Sequence, residues 1–351
     1  MKRIKKHLIN TAKYINRCLD LARLGSGNVS PNPMVGAVIV HNDTIIGEGY
    51  HKVYGGPHAE VNAINSVIDK SLLKESTIYV SLEPCSHFGK TPPCADLIIQ
   101  HKIPNVVIAA IDSNAIVCGN GISKLKDSGI NVTTGVLEKE SNYLNKYFNT
   151  FHQKKRPYVI LKWAETSNGF IDRKREHDLQ KPLKISNEAS SRWVHKLRSE
   201  VDAILIGKNT ALLDNPSLTT RKWTGKNPIR VIIDTQLTLP KSLAIFDKSV
   251  KTLIFNFIKE SKENNLEFIK LNSTKPIIPQ LLTSLWSKNI QSILVEGGAY
   301  TLQQFIDSNA FDQAFRIKSN LLIKDGISAP TIPKAETSMF SIREDKIIYY
   351  E

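Results

Sequence analysis

The sequence predicts an α/β protein built as two domains. Short apolar runs rich in Val, Ile and Leu alternate with segments of helical periodicity, and the pattern restarts after the basic break Gln153-Lys154-Lys155-Arg156-Pro157. At 351 residues, each half is long enough to bury its own core. The domains are therefore drawn at residues 1–152 and 157–351.

In the first domain, residues 11–24 read as a helix with Ile15, Leu19 and Ala22 on one side and Gly25 placed to end it. Cys18 shares that side as a small hydrophobe. The turn-rich loop Asn28-Val29-Ser30-Pro31-Asn32-Pro33 leads into a continuous apolar run over 34–40, the pattern of a buried strand, and residues 44–50 return as its hairpin partner. A helix over 58–68 and a strand over 77–82 follow. Pro92-Pro93 opens a further helix that carries Cys94, and strands are expected over 105–111 and 130–136. A polar helix over 138–152, with Tyr143, Leu144, Tyr147, Phe148 and Phe151 on its apolar side, ends the domain.

Chemistry concentrates between His58 and Cys94. A catalytic zinc takes three protein ligands and keeps a corner for water, and His58, Cys85 and Cys94 supply three of the right softness. Glu60 stands close to the ion without needing to bind it. Zinc lowers the pKa of its water from about 15.7 to roughly 7, and a neighbouring carboxylate can take that proton and hand it to a departing amine. Pro57-His58-Ala59-Glu60 followed by Glu83-Pro84-Cys85 is the zinc-deaminase pattern, although residues 86–93 separate the cysteines where the usual form has two residues. A closed structural site with His87 or His51 as fourth ligand leaves that pattern unexplained. The helix start at His58 is expected to favour an ionised Glu60.

In the second domain, strands are expected over 158–164, 203–207, 229–234, 251–256 and 292–295, with a turn at 166–169 before Phe170-Ile171-Asp172. Helices are expected over 187–199 and from 208 towards the loop at Asn215-Pro216. Val295-Glu296-Gly297-Gly298 reads as strand, glycine turn and helix start, an arrangement that can present backbone N–H groups to a phosphate or simply make a tight turn.

The formal net charge of +14 raises nucleic acid as a partner, but the lysines are scattered along the chain, which points away from it and suits a phosphorylated small substrate. No apolar run approaches the roughly 20 residues of a membrane span. The basic start Met1-Lys2-Arg3 lacks the apolar core of a signal peptide, so a cytoplasmic protein is expected. Four cysteines, two assigned to zinc, make no disulfide framework, and Cys118 in Val117-Cys118-Gly119 is read as a non-ligand.

Gly49-Tyr50-His51, Pro57-His58-Ala59-Glu60, Glu83-Pro84-Cys85-Ser86-His87 and Gly89-Lys90-Thr91-Pro92-Pro93-Cys94 resemble the deaminase domain of the bifunctional riboflavin-biosynthesis RibD family, in which the long cysteine spacer is normal. Leu197-Arg198-Ser199, Asp214-Asn215-Pro216-Ser217-Leu218-Thr219-Thr220-Arg221, Arg230-Val231-Ile232-Ile233-Asp234 and Val295-Glu296-Gly297-Gly298 are similar to its reductase domain. The resemblance implies a cytidine-deaminase-like α/β/α sandwich followed by a dihydrofolate-reductase-like α/β domain. It implies one zinc per chain, NADPH, phosphorylated pyrimidine substrates and a homo-oligomer. A nucleoside or tRNA deaminase with an accessory nucleotide-binding domain is the alternative, disfavoured by the long spacer and the second domain.

Carried over by resemblance, Asn32, His51, Lys90 and Asn114 hold the deaminase substrate. Pro182, Arg198, Leu218, Arg221 and Glu296 hold the reductase substrate, the arginines suiting its phosphate. Glu165, Lys184, Thr210, Asp214, Thr235 and the turn Gly298, Ala299, Tyr300, Thr301, Leu302, Gln303 and Gln304 contact NADPH. Lys162 and Glu296 are the candidates for polarising and protonating the ribose. Lys184 stands where some members carry tryptophan, and Ser167-Asn168-Gly169 replaces a more usual Leu-Asp-Gly.

Overall fold

Gly36–His41 (β1) and Thr44–Tyr50 (β2) form the expected antiparallel hairpin in the computed structural model, which describes residues 2–88, 92–114, 117–175 and 180–351. With Thr77–Leu82 (β3), Asn105–Ala110 (β4) and Asn131–Thr134 (β5) they make a sheet of order β2-β1-β3-β4-β5, antiparallel across β1 and parallel from β3 onward. Ala37, Ile39, Ile78, Val80, Val106 and Ile108 pack against Ala59–Ser66 (α2), Cys94–Gln100 (α3) and Asn120–Asp127 (α4). Val38, Val40, Tyr79, Val107 and Ala109 instead meet Ile15, Cys18 and Leu19 of Lys2–Arg23 (α1). Successive strand residues face opposite sides, so burial on both faces accounts for the unbroken apolar runs. Each such Val, Ile or Leu contributes about 1.5–3 kcal/mol.

Two features of this unit differ from expectation. The helix α4 was not among the elements expected from the sequence. Residues 138–152, read as one helix, are two, Glu138–Leu144 (α5) and Lys146–Lys154 (α6). Asn145 between them leaves helical geometry, and its side chain accepts from the Met34 N–H (2.8 Å) and donates to the Met34 carbonyl (3.0 Å). That pair satisfies backbone groups of the segment following Asn32 and Pro33, and interrupting the helix is what makes it available.

The chain divides into two compact units, Met1–Lys155 and Arg156–Glu351. The second contains Tyr158–Glu165 (β6), Phe170–Asp172 (β7), Glu188–Glu200 (α7), Ala203–Gly207 (β8), Lys208–Asp214 (α8), Ile229–Ile233 (β9) and Thr252–Asn256 (β10). It continues through Ser261–Glu263 (β11), Leu266–Lys270 (β12), Ile277–Ser287 (α9), Ser292–Val295 (β13) and Ala299–Asp307 (α10). Gln313–Lys318 (β14), Ile327–Ser328 (β15), Ser338–Ile342 (β16) and Asp345–Tyr350 (β17) complete it. Ten strands form one sheet, β11-β12-β10-β9-β8-β13-β6-β14-β17-β16, parallel from β12 to β14 and antiparallel at both margins.

The face bearing Val159, Leu161, Leu205 and Phe255 packs against Leu281 and Leu285 of α9 and Leu302 and Phe305 of α10. The face bearing Ile204, Ile206, Ile232 and Ile254 meets Ala211 of α8 and Leu218. The adjacent strands β8 and β13 therefore hand the chain to helices on opposite faces. A divergence of this kind at the carboxyl ends of parallel strands is the usual ligand position in such sheets. No helix among the described residues is long and apolar enough to cross a membrane.

Candidate active sites

His58 is the N-cap of α2, and Glu60 lies in its first turn. Gly49 of β2 makes this placement possible, because a Cβ there would stand 2.3 Å from the Ala63 nitrogen and 2.6 Å from the Ala59 oxygen. Cys85 follows β3, and Cys94 opens α3 behind Pro93. The two segments are tied by Ala95 N–H donating to the Cys85 carbonyl (3.1 Å) and Cys94 N–H donating to Cys85 Sγ (3.3 Å).

The His58 Nδ1 atom lies 3.5 Å from Cys85 Sγ and 3.3 Å from Cys94 Sγ, and all three donor atoms fall within 4.8 Å of one another. Among the described residues this group numbers three. One imidazole nitrogen and two sulfurs, converging without a fourth side chain, fit a zinc ion that keeps an open position. The Cys94 hydrogen bond pulls the Cys85 thiol down, and the same pairing raises Cys94.

Glu60 is 3% exposed and faces this group through Cys94, Cys85 and His58. Burial, reinforced by Cys85, pushes its carboxyl up to about 7, so desolvation outweighs the helix start that was expected to keep it ionised. Glu60 also lines a cleft of about 250 Å³ together with Asn32, His51, Tyr54, Asp112 and Asn114.

His51 is buried at the rim of the metal group, with its ring 5.4 Å from that of His58. Its Nδ1 lies 3.0 Å from the Pro57 carbonyl, which only accepts, so Nδ1 carries the proton. Nε2 then accepts from the Asn32 amide at 3.1 Å. His51 is thus committed to orienting Asn32, and burial pushes its pKa down, keeping it neutral. Lys90 lies outside the described residues.

In the second unit the carboxyl ends of the parallel strands gather the predicted residues. Glu296, just after β13, accepts a forked pair from Arg198 of α7 (3.0 and 2.8 Å) and lies 3.2 Å from Lys162 Nζ on β6. Arg198 also donates to the Thr219 carbonyl (3.1 Å). Burial alone would push the Glu296 carboxyl up, and the Arg198 and Lys162 cations overturn that, holding it at about 2. A carboxylate so held accepts hydrogen bonds and supplies no proton near neutral pH. The exposed Arg221 donates to Ser217 Oγ (3.0 Å), and Leu218 is buried beside it with a left-handed φ of 54°.

The expected cofactor residues divide. Thr210 of α8 accepts the Gly298 N–H (2.8 Å), joining the two strand-to-helix turns, and Thr235 follows β9. Asp214, in contrast, is engaged: Arg175 pairs with it and with Asp172 (2.6 Å), an ion-pair set invisible to linear reading. The Glu165 carboxylate accepts from the Trp163 indole (2.9 Å). Gly298, Ala299, Tyr300 and Thr301 stand at the start of α10, whereas the Leu302 side chain is in the core and Gln303 bonds Asp307 and Thr331. Gln304 is exposed one turn further on, and Pro182 and Lys184 are exposed, with Lys184 4.0 Å from Glu188. Asn168 donates to the Ile323 carbonyl (2.7 Å) and accepts from Thr166 (2.8 Å), so it serves the β6–β7 turn.

Residues 157–317 match the RibD C-terminal domain, and residues 9–110 match the cytidine and deoxycytidylate deaminase zinc-binding region. The riboflavin biosynthesis protein RibD of Aquifex aeolicus is 38% identical over 323 residues, covering 90% of this chain and 88% of that protein. This chain belongs to the RibD family. The Bacillus amyloliquefaciens RibD is 39% identical over 332 residues, covering 92% and 88% of the two chains. A Thermotoga maritima diaminohydroxyphosphoribosylaminopyrimidine deaminase/5-amino-6-(5-phosphoribosylamino)uracil reductase superposes with a TM-score of 0.88 at 35% identity, covering 98% and 99%. The Acinetobacter baumannii RibD superposes at 0.87 with 26% identity, covering 97% and 98%. As a RibD-family member the chain is a bifunctional deaminase and reductase of riboflavin biosynthesis, with a zinc-binding deaminase domain and a reductase domain.

Residues that went unassigned in the sequence now join the sites. Asp112 lines the cleft two positions before Asn114, and burial pushes its carboxyl up to about 6. His195 of α7 lies one helical turn before Arg198, buried, its Nδ1 without a hydrogen-bond partner. Helical spacing from Arg198 was the available signal for it.

Proposed function

We propose that residues 1–152 hydrolytically deaminate 2,5-diamino-6-ribosylamino-4(3H)-pyrimidinone 5′-phosphate, and that residues 157–351 reduce the ribosyl group of the product to ribityl with NADPH. The observation that carries the reading is the convergence of His58, Cys85 and Cys94 beside the buried Glu60 in an open cleft. Bound zinc supplies a water acidic enough to react near neutral pH. Glu60, whose carboxyl lies beside those three side chains, would carry a proton from the attacking water to the departing amine, a task suited to a carboxyl whose pKa lies near the working pH. Asn32, oriented by His51, and Asn114 hold the substrate together with His51 and Lys90, the four positions that by resemblance hold the pyrimidine and ribose phosphate.

In the second unit NADPH supplies the reducing equivalents. Thr210, Thr235 and the Gly298 turn, which lie at neighbouring strand ends, would hold it. Lys162 holds the proton delivered to the ribose, because Glu296 is ionised and anchors Lys162 and Arg198 in place. Since the Arg198 fork is engaged with Glu296, the phosphate falls to Arg221. The same reading carries a cytoplasmic enzyme, where reducing conditions preserve the zinc thiolates. It also carries a homo-oligomer, supported by the margin strand β16, whose Met339 and Phe340 are 57% and 42% exposed.

A coupled assay with the phosphorylated diaminopyrimidine tests both halves. Ammonia is expected without NADPH, and NADPH oxidation only after ammonia release. Absence of ammonia release from zinc-loaded protein overturns the deaminase assignment.

A further inference from the structure

Glu83 precedes Cys85 by two residues, is 4% exposed, and among the described residues its carboxylate has no cation as a hydrogen-bond partner. It accepts only from the backbone. Oε2 takes the N–H groups of Asp112 (3.3 Å) and Gly119 (3.0 Å), and Oε1 takes those of Gly121 (3.0 Å) and Ile122 (3.2 Å). The contact is close in a second way: a Cβ on Gly121 would stand 2.0 Å from the Pro84 carbonyl oxygen. Asp112, Asn114 and Val117, which these donors bracket, line the same cleft as Glu60, His58 and Glu83 itself.

We propose that Glu83 is a positioning residue for deamination, locking the Asn114 wall of the cleft to the segment that carries Cys85. The inference rests on the deaminase reading above. Four N–H donors need two oxygens that only accept. The carboxylate provides them, whereas an amide would turn an NH2 group towards one pair of donors and leave those donors buried and unpaired. The wall that grips the ring and the segment that holds the metal would then shift relative to each other.

The test uses full-length, zinc-loaded protein, with the reductase half as an internal control. For Glu83→Gln, the deamination KM is expected to rise at least about tenfold, about 1.4 kcal/mol, with kcat within about twofold and zinc content and reductase rate unchanged. In an Asn114→Ala background the same substitution is expected to add no further rise in KM, because the group through which it acts is gone. Gly121→Ala, which forces the contact apart from the other side, is expected to reproduce the KM effect. An unchanged KM in either zinc-retaining variant, additivity with Asn114→Ala, or loss of zinc in both variants overturns the proposal, the last assigning Glu83 to the metal segment alone. Failure of the unsubstituted protein to release ammonia would instead overturn the parent reading.

Discussion

The two sites solve the problem of buried charge in opposite ways. In the first unit His58, Cys85 and Cys94 bring a nitrogen and two sulfurs within 4.8 Å beside a buried carboxyl, and among the described residues no lysine or arginine acts on that carboxyl. Such a cluster is complete only with a metal. In the second unit Glu296 is neutralised internally by Arg198 and Lys162, so its geometry exists before any ligand arrives. One site is organised around a guest ion, and the other is held together by its own side chains.

The sharpest way to break this contrast is at Glu60. Glu60→Ala is expected to lower ammonia release by about 10²–10⁴-fold or more while zinc stays bound and the reductase is untouched, measured by ammonia assay and metal analysis. Retained turnover would remove Glu60 from the proton path. Glu296→Gln should show the opposite kind of dependence. It leaves two buried cations short of their partner and is expected to cost about 3–5 kcal/mol in unfolding of the second unit, with deamination unaffected. Lys162→Ala is expected to abolish ribose reduction, and an unchanged rate would exclude it as proton holder.

A smaller effect comes from His195. Burial, then Arg198 and Arg221, hold its pKa at about 4 against 6.5 for the ordinary group, with Glu296 opposing them. Between those values the unfolded chain binds more protons, so the contribution is present above about 6.5 and lost as pH falls towards about 4. The unfolding midpoint of the second unit should decline across that window, and His195→Gln should flatten the decline. The smallest effect is expected at Lys184, exposed and 4.0 Å from Glu188. Lys184→Ala should change stability by under about 0.5 kcal/mol and leave the KM for NADPH unaltered.

The metal cluster was legible because its residues announce themselves by type, and because each ligand sits at an element boundary that capping and strand signals mark: His58 at a helix start, Cys85 after β3, Cys94 behind Pro93. The strands β1, β3, β4, β6, β8, β9, β10 and β13 were legible too, since burial on both faces writes an uninterrupted apolar run, whereas the polar-interrupted β14 was not. The margins were not. The half-exposed β16 and the short β11 carry few buried residues and take their conformation from a neighbour. The break at Asn145 and the engagement of Asp214 by Arg175 were hidden too, because each depends on a partner distant in sequence.

Residue chemistry and spacing alone pointed to the two-part α/β plan, the candidate metal-ligand set and the carboxylate beside it, since ligand softness and strand periodicity are properties of the linear order. Tertiary structure decided the protonation states and the allegiances of polar groups. Glu60 is raised by burial, Glu296 is kept ionised by two cations, and His51 is turned towards Asn32. Each of these is set by what surrounds a group in space, and desolvation and charge pairing come into being only when distant segments close around it.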